Sequence, residues 1–287
     1  MMDLSVYKVE TRATWCPGCG DFAVLRGIQT ALAALEINPK DVLVVSGIGC
    51  SSNIPGFLKS YGFHGIHGRA IPVATGAKLV NPNLNVIVAG GDGDGYGIGL
   101  NHWVHAMRRN FDITYIVMNN QIYGLTTGQA SPTTEKGQRS KSTPAGVIEL
   151  PINPISMALV TGATFVARAF SGDADHLAKM VELGIKHKGF SLVDVLSPCV
   201  TYNKHNTYQW FRERIYRLED NGHNTKNLDD AIKKSYEWDA KIPIGVFYET
   251  DRSTYEDEEP GLKRGPVVSQ PLGISEELGK ELLKEFE

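Results

Sequence analysis

The chain has 287 residues and a mass of 31.4 kDa, with 42% hydrophobic and 21% charged residues, the composition of a globular protein able to bury a core. A net charge of −3 and an isoelectric point near 6.3 give no basic footprint, so nucleic acid is not expected as a partner. Met1 to Arg12 lack an apolar signal core and no stretch approaches the roughly 18 apolar residues of a membrane span, which reads as a cytoplasmic protein without a membrane anchor.

Phe22, Val24, Leu25, Ile28, Leu32 and Leu35 recur at helical spacing and predict an amphipathic helix over Gly20 to Glu36, directly after the turn Cys16-Pro17-Gly18-Cys19. Short apolar runs follow at Asp41 to Ser46, Asn85 to Ala89, Ile113 to Met118, Thr164 to Ala167 and Phe190 to Leu196. Each is nearly continuous in hydrophobicity, as strands buried on both faces are. Helical stretches lie between them at Gly97 to Arg109, Pro154 to Gly162 and Asp173 to His187. This alternation predicts an α/β fold with a mostly parallel sheet flanked by helices, its ligands at the carboxyl ends of the strands. From about Tyr202 the chain turns polar and broken, ending in a short helix from Ser275 to Glu287. Residues 1–205 therefore read as the ligand-binding domain, and 206–287 as a C-terminal extension packing on that domain or on a partner.

The run Gly90-Gly91-Asp92-Gly93-Asp94-Gly95 joins a strand to a helix. Glycines let backbone N–H groups approach a phosphate, and a helix N-terminus favours an anion. Two carboxylates would repel a bare phosphate, so a hard divalent cation such as Mg²⁺ has to lie between them. Met118-Asn119-Asn120-Gln121-Ile122-Tyr123-Gly124, at the end of the next strand, offers amide and carbonyl oxygens for the same ion. Gly-Asp-Gly followed some twenty-five residues later by Asn-Asn, each after a strand, resembles the thiamine diphosphate fingerprint of transketolases, pyruvate decarboxylases and 2-oxoacid oxidoreductases. The match implies a diphosphate-type thiamine domain in which Asp92, the Asn120 side chain and the Ile122 carbonyl hold Mg²⁺, with Gly93, Asp94, Gly124 and Leu125 around the diphosphate.

Four cysteines occur, Cys16, Cys19, Cys50 and Cys199. Four thiolates make a zinc or an iron-sulfur site, and spacing does not choose between them; Cys16 and Cys19 could also form a redox couple. The Cys-x-x-Cys-Gly-Asp segment, Gly47-Ile48-Gly49-Cys50-Ser51-Ser52, Tyr61 to Ala70, the thiamine loop and Leu125 to Thr133 together resemble the beta subunit of the 2-oxoacid:ferredoxin oxidoreductases over about residues 12 to 205. That resemblance implies a [4Fe-4S] cluster on the four cysteines and places Ile48, Gly49, Cys50 and Ser51 against the cofactor. It implies CoA-dependent oxidative decarboxylation of a 2-oxoacid, reversible in principle, with electrons passing through the cluster to ferredoxin. The sequence Ser197 to Asn203 around Cys199 looks most like the 2-oxoglutarate branch of that family, with pyruvate or a broad 2-oxoacid range, or a non-redox thiamine decarboxylase or carboligase subunit, as the alternatives. Only the diphosphate half of a thiamine site is present, so the activating glutamate is expected from a partner alpha subunit, in a dimer of heterodimers. His64 and His67 are candidates for catalysis, Arg69, Asn53 and Lys59 for substrate, and Thr126, Thr127 and Gln129 for phosphate or substrate. Thr133 to Thr143 reads as an exposed basic loop suited to coenzyme A or an acidic ferredoxin.

Overall fold

The computed structural model describes residues 2–271 and 273–286. Eight strands, β1 Val42–Ser46, β2 Tyr61–His64, β3 Asn85–Gly91, β4 Thr114–Asn119, β5 Phe165–Phe170, β6 Ser191–Leu196, β7 Ile215–Arg217 and β8 Ile242–Glu249, form one sheet in the order β2-β1-β3-β4-β6-β5-β8-β7. Every pairing is parallel except β5 with β8. Helices α1 Asp21–Ala34, α2 Ala70–Val80, α3 Leu100–Arg109, α4 Pro154–Thr161 and α5 Ala174–Lys186 are interleaved with the first six strands, β1 and β2 alone being joined by a 3-10 turn instead of an α-helix. Helices α6 Tyr208–Arg212, α7 Leu228–Ser235, α8 Tyr255–Glu258 and α9 Glu276–Lys284 follow.

The continuous apolar runs are explained by two cores, one on each face of the sheet. Ile87, Ala89, Ile116, Met118, Val193 and Val195 join Val24, Ile28 and Leu32 of α1 and Leu177 and Val181 of α5. The intervening residues Val86, Val88, Tyr115, Val117 and Leu192 point the other way, to Trp103 and Met107 of α3 and Ile155 and Leu159 of α4. A strand residue thus finds an apolar layer whichever way it points.

Several boundaries move from their expected places. Helix α3 begins at Leu100 because Gly93–Ile98 winds as a wide π-type turn with non-helical backbone at Gly97. Helix α4 ends at Thr161, where Gly162 turns left-handed at φ 88°. Asp173 caps α5, its carboxylate accepting from the His176 N–H, and so is not part of the helix. Neither β2 nor α2 was marked by periodicity: all four β2 residues are exposed, and α2 is crowded with small residues. Helix α9 runs to Lys284, and Glu287 lies outside the described residues, as does Met1.

The stretch read as polar and broken supplies β7 and β8 to the same sheet. Pro243 and Gly245 within β8 disguise it. Gly245 sits at φ 117°, and the register with β5 slips between Val166 and Ala167, the signature of a bulge. Among the described residues no helix is long and apolar enough to cross a membrane.

Candidate functional site

The loops leaving β1, β2, β3 and β4 meet at the carboxyl end of the sheet, where a cavity of about 570 Å³ is bordered by Ile48, Asp92, Gly93, Asn120, Ile122 and Gly124. Gly49, Cys50, Ser51, Asp94 and Leu125 border it too, so every residue expected around the cofactor is brought there. His67 joins them, whereas His64 stays exposed on edge strand β2. Arg69 donates to the Gly68 and Ile98 carbonyls and Lys59 is exposed, so neither borders the cavity. Thr126 and Gln129 do border it and are bonded to each other; Thr127, in a left-handed turn at φ 76°, does not.

Asp92 is fully enclosed at the end of β3. Burial pushes its carboxyl up to about 6, against the hydroxyls of Ser131 and Thr133, which both donate to Oδ2. A cation beside it would restore the ionised form, which suits a metal ligand. Asn120 accepts the Ile122 N–H through Oδ1 at 3.0 Å, and Gln121 between them adopts φ 57°, a tight turn that fixes the Ile122 carbonyl. Asn203, buried after Cys199, donates to the Asn120 carbonyl at 3.0 Å and ties the two loops together. The expected exposed loop from Thr133 begins inside the protein instead: Ser131, Thr133 and Thr134 are buried because their hydroxyls hold Asp92 and the Gln121 carbonyl.

Asp94 borders the cavity and also makes contacts of its own. Its Oδ1 accepts the Ile48 N–H at 2.9 Å and the Gly68 N–H at 2.7 Å, and lies 3.0 Å from His67 Nδ1. The carboxylate thus pins the 47–68 loop. Glycine is required opposite it, since a Cβ on Gly47 would lie 2.2 Å from Asp94 Oδ2.

A second cavity, about 280 Å³, is bordered by all four cysteines together with Asn53, Asn120, Gly124, Leu125 and Tyr202. Trp15 donates to the Cys50 carbonyl at 2.7 Å and wedges edge-on between Phe22 and Phe57, fastening the Cys16–Cys19 turn to the Cys50 loop. Burial raises the Cys19 thiol, with Asp21 adding to the effect. Cys50 is pushed up to about 11, first by burial, then by Asp21, Cys199 and Cys16. Thiolates so placed need a cationic group between them. Among the described residues no three His, Cys, Asp or Glu side chains converge on a single ion's position.

Behind the Asn119–Gly124 loop lies a polar network that the sequence did not announce. Thr133 also donates to Asn119 Oδ1, Asn119 and Tyr96 donate to Asp194, and Asp194 pairs with Arg168 at 3.5 Å across β6 and β5. All are buried. The available signal was a carboxylate and a guanidinium inside otherwise apolar strands.

Residues 47–195 match the family described as thiamine pyrophosphate enzyme, C-terminal TPP binding domain, and residues 199–264 match the C-terminal family of pyruvate ferredoxin oxidoreductase beta subunits. The chain is 48% identical to 2-oxoacid:ferredoxin oxidoreductase 1, subunit beta, of Aeropyrum pernix, over 92% of this chain and 86% of that protein. It is 39% identical to the 2-oxoglutarate synthase subunit KorB of Methanocaldococcus jannaschii, over 85% and 90% respectively. A solved 2-oxoglutarate:ferredoxin oxidoreductase from Magnetococcus marinus, with 2-oxoglutarate, coenzyme A and succinyl-CoA bound, superposes with a TM-score of 0.91 at 39% identity, covering 98% of this chain and 96% of that one.

Proposed function

Because the chain belongs to the beta subunits of the 2-oxoacid:ferredoxin oxidoreductases, we propose that its two adjoining cavities hold Mg²⁺-thiamine diphosphate and a [4Fe-4S] cluster and serve the CoA-dependent oxidative decarboxylation of 2-oxoglutarate. The observation that carries this reading is that Cys50, Asn120, Gly124 and Leu125 border both cavities. A Cβ on Gly124 would lie 3.6 Å from Cys199 Sγ and 3.8 Å from Cys50 Sγ, so this part of the shared wall runs directly against two of the cysteines.

Asp92, the Asn120 side chain and the Ile122 carbonyl are the Mg²⁺ ligands in this proposal, and Gly93, Gly124 and Leu125 surround the diphosphate. Asp94 borders the same cavity and belongs with them around the diphosphate, while its carboxylate also accepts the Ile48 and Gly68 N–H groups. Cys16, Cys19, Cys50 and Cys199 are the cluster ligands. Thiamine diphosphate supplies the carbon nucleophile for the 2-oxo group, and the cluster accepts electrons singly for ferredoxin. His67, fixed by Asp94 and bordering the cavity, is the histidine placed to meet substrate. The assignment of 2-oxoglutarate rests on the relatives from M. jannaschii and M. marinus. The missing activating carboxylate comes from the alpha subunit, in a cytoplasmic dimer of heterodimers.

The test is to purify the chain with its native partner anaerobically and to record the visible spectrum before and after adding 2-oxoglutarate and coenzyme A, with pyruvate in parallel. Bleaching of a broad iron-sulfur absorption by 2-oxoglutarate supports the proposal. A colourless, zinc-containing protein removes the cluster; bleaching by pyruvate alone removes the substrate. Asp92→Ala should lose thiamine diphosphate binding while keeping the brown colour.

A further inference from the structure

The four cysteines are not equally enclosed. Cys19, Cys50 and Cys199 are half-buried, whereas Cys16 is exposed, as are Thr14, Thr201 and Tyr202 with it on the border of the second cavity. Cys50, Asn120 and Gly124 form the side shared with the first cavity. Electrons that arrive past Gly124 therefore have their shortest way to solvent across the Cys16 face. Electron transfer slows steeply with distance, so an acceptor has to come to this face.

The face carries one sign of charge. The three segments that bring the cysteines together, 11–20, 47–53 and 197–205, contain no Asp or Glu, in a chain whose net charge is −3. Glu10, just ahead of the first segment, is offset by Lys8. Arg12 is exposed two residues before Thr14. Gly18 of the Cys16–Cys19 turn lies against Val200, since a Cβ there would stand 3.6 Å from Val200 Cγ1, and Lys204 Nζ donates to the Val200 carbonyl at 2.5 Å. Arg212 lies over the Tyr208 ring, 5.7 Å from its centre. Burial raises the Tyr208 hydroxyl, with Cys19 and Asp21 adding to the effect and Arg212 opposing it, so this guanidinium too is a neighbour of the turn. Among the described residues none of the three cations has a carboxylate partner, whereas Arg214 pairs with Glu213 and Arg217 with Asp173. The Asp21 carboxylate is enclosed, at 2% exposure.

We propose that the Cys16 face is the docking surface for the electron acceptor, a small acidic ferredoxin, with Thr14, Pro17 and Tyr202 as its uncharged centre and Arg12, Lys204 and Arg212 as its rim. This rests on the proposed cluster and adds where its acceptor comes in. Rim cations steer an acidic partner and speed its encounter, and an uncharged centre lets the two redox groups approach closely. A small, salt-sensitive contact suits a partner that has to leave after every electron. Each encounter moves one electron out across the face and reduces the ferredoxin by one; two encounters clear the pair released by each decarboxylation. The 133–143 loop is basic as well, but none of its residues borders the cysteine cavity.

The assembled enzyme, saturated anaerobically with 2-oxoglutarate and coenzyme A, is assayed with two acceptors: a purified [4Fe-4S] ferredoxin of net negative charge, and methyl viologen, which needs no docking surface. Arg12→Glu with Lys204→Glu should raise KM for the ferredoxin at least about tenfold at low salt, while methyl viologen turnover stays within about twofold. Arg212→Glu alone should raise it about threefold. Added salt should raise the parent's KM for the ferredoxin and leave that of the double variant nearly level. A parent that reduces neither acceptor removes the cluster reading and this proposal with it. A parent active on both, with a double variant whose ferredoxin KM stays within about twofold of it, overturns the docking surface alone. So does a rise confined to Lys141→Glu, which moves docking to the 133–143 loop, or a double variant that purifies without its alpha subunit, which makes the face a subunit contact.

Discussion

Replacing Asp94 separates its motif role from its structural one. Its Oδ1 takes the N–H groups of Ile48 and Gly68 at 2.9 and 2.7 Å, and Asp94 itself is only 3% exposed. A hydrogen bond to a charged acceptor contributes roughly 1.5–3 kcal/mol, so losing two gives roughly 3–6 kcal/mol. The Ile48 bond is only partly buried, and water can replace part of it, which moves the expectation for Asp94→Ala to about 3–5 kcal/mol. That is a large share of the 5–15 kcal/mol of a typical domain. Asp94→Asn keeps an acceptor of the same shape and exchanges two charged bonds for neutral ones, and should cost less than about 2 kcal/mol. Urea unfolding of the cofactor-free protein at pH 7 measures both. Limited proteolysis should show new cutting within 47–68 in Asp94→Ala before global unfolding. An Asp94→Ala protein within about 1 kcal/mol of the parent, or an Asp94→Asn protein equally damaged, would refute the view that this carboxylate holds the loop.

Gly93→Ala puts a Cβ 2.1 Å from Tyr123 Cε1, a ring whose hydroxyl donates to the Gly93 carbonyl at 3.0 Å; thiamine diphosphate binding, measured by equilibrium dialysis with Mg²⁺, should fall at least about tenfold. Arg168→Met strands Asp194 as a buried unpaired carboxylate and should lower stability by roughly 3–5 kcal/mol in thermal unfolding, with Asp194→Asn in the same chain recovering much of it. Burial holds His187 below its ordinary range, with Glu249 opposing, while Nε2 sits 2.8 Å from Thr164 Oγ1. The unfolded chain therefore binds this proton more readily, so stability is full above about pH 6.5 and falls as pH drops through it. His187→Gln should flatten the dependence of the urea midpoint between pH 7.5 and 5.5; an unchanged slope would remove His187 as the cause.

Much of the sheet was legible in the sequence because β1, β3, β4, β5 and β6 are buried on both faces, and that burial leaves unbroken apolar runs. The diphosphate loop was legible for a related reason. Close approach of backbone to an anion needs glycine, and a carboxylate beside it needs a cation, so Gly91-Asp92-Gly93 and Asn119-Asn120 announce their chemistry locally. The convergence of Cys16, Cys19, Cys50 and Cys199 on one cavity is a matter of tertiary structure: three different loops bring them there, and Trp15 locks two of those loops together. The different partners of Asp92 and Asp94 were likewise invisible, since two carboxylates two residues apart have the same chemistry until the fold sets one against the Ser131 and Thr133 hydroxyls and the other against the N–H groups of Ile48 and Gly68. Composition along the chain thus determined the layers and the kind of ligand. How the loops around the cavities are held was decided by contacts between residues 26 to 176 positions apart, such as Asp94 with Gly68 and Ser197 with Asp21, and no local pattern encodes such contacts.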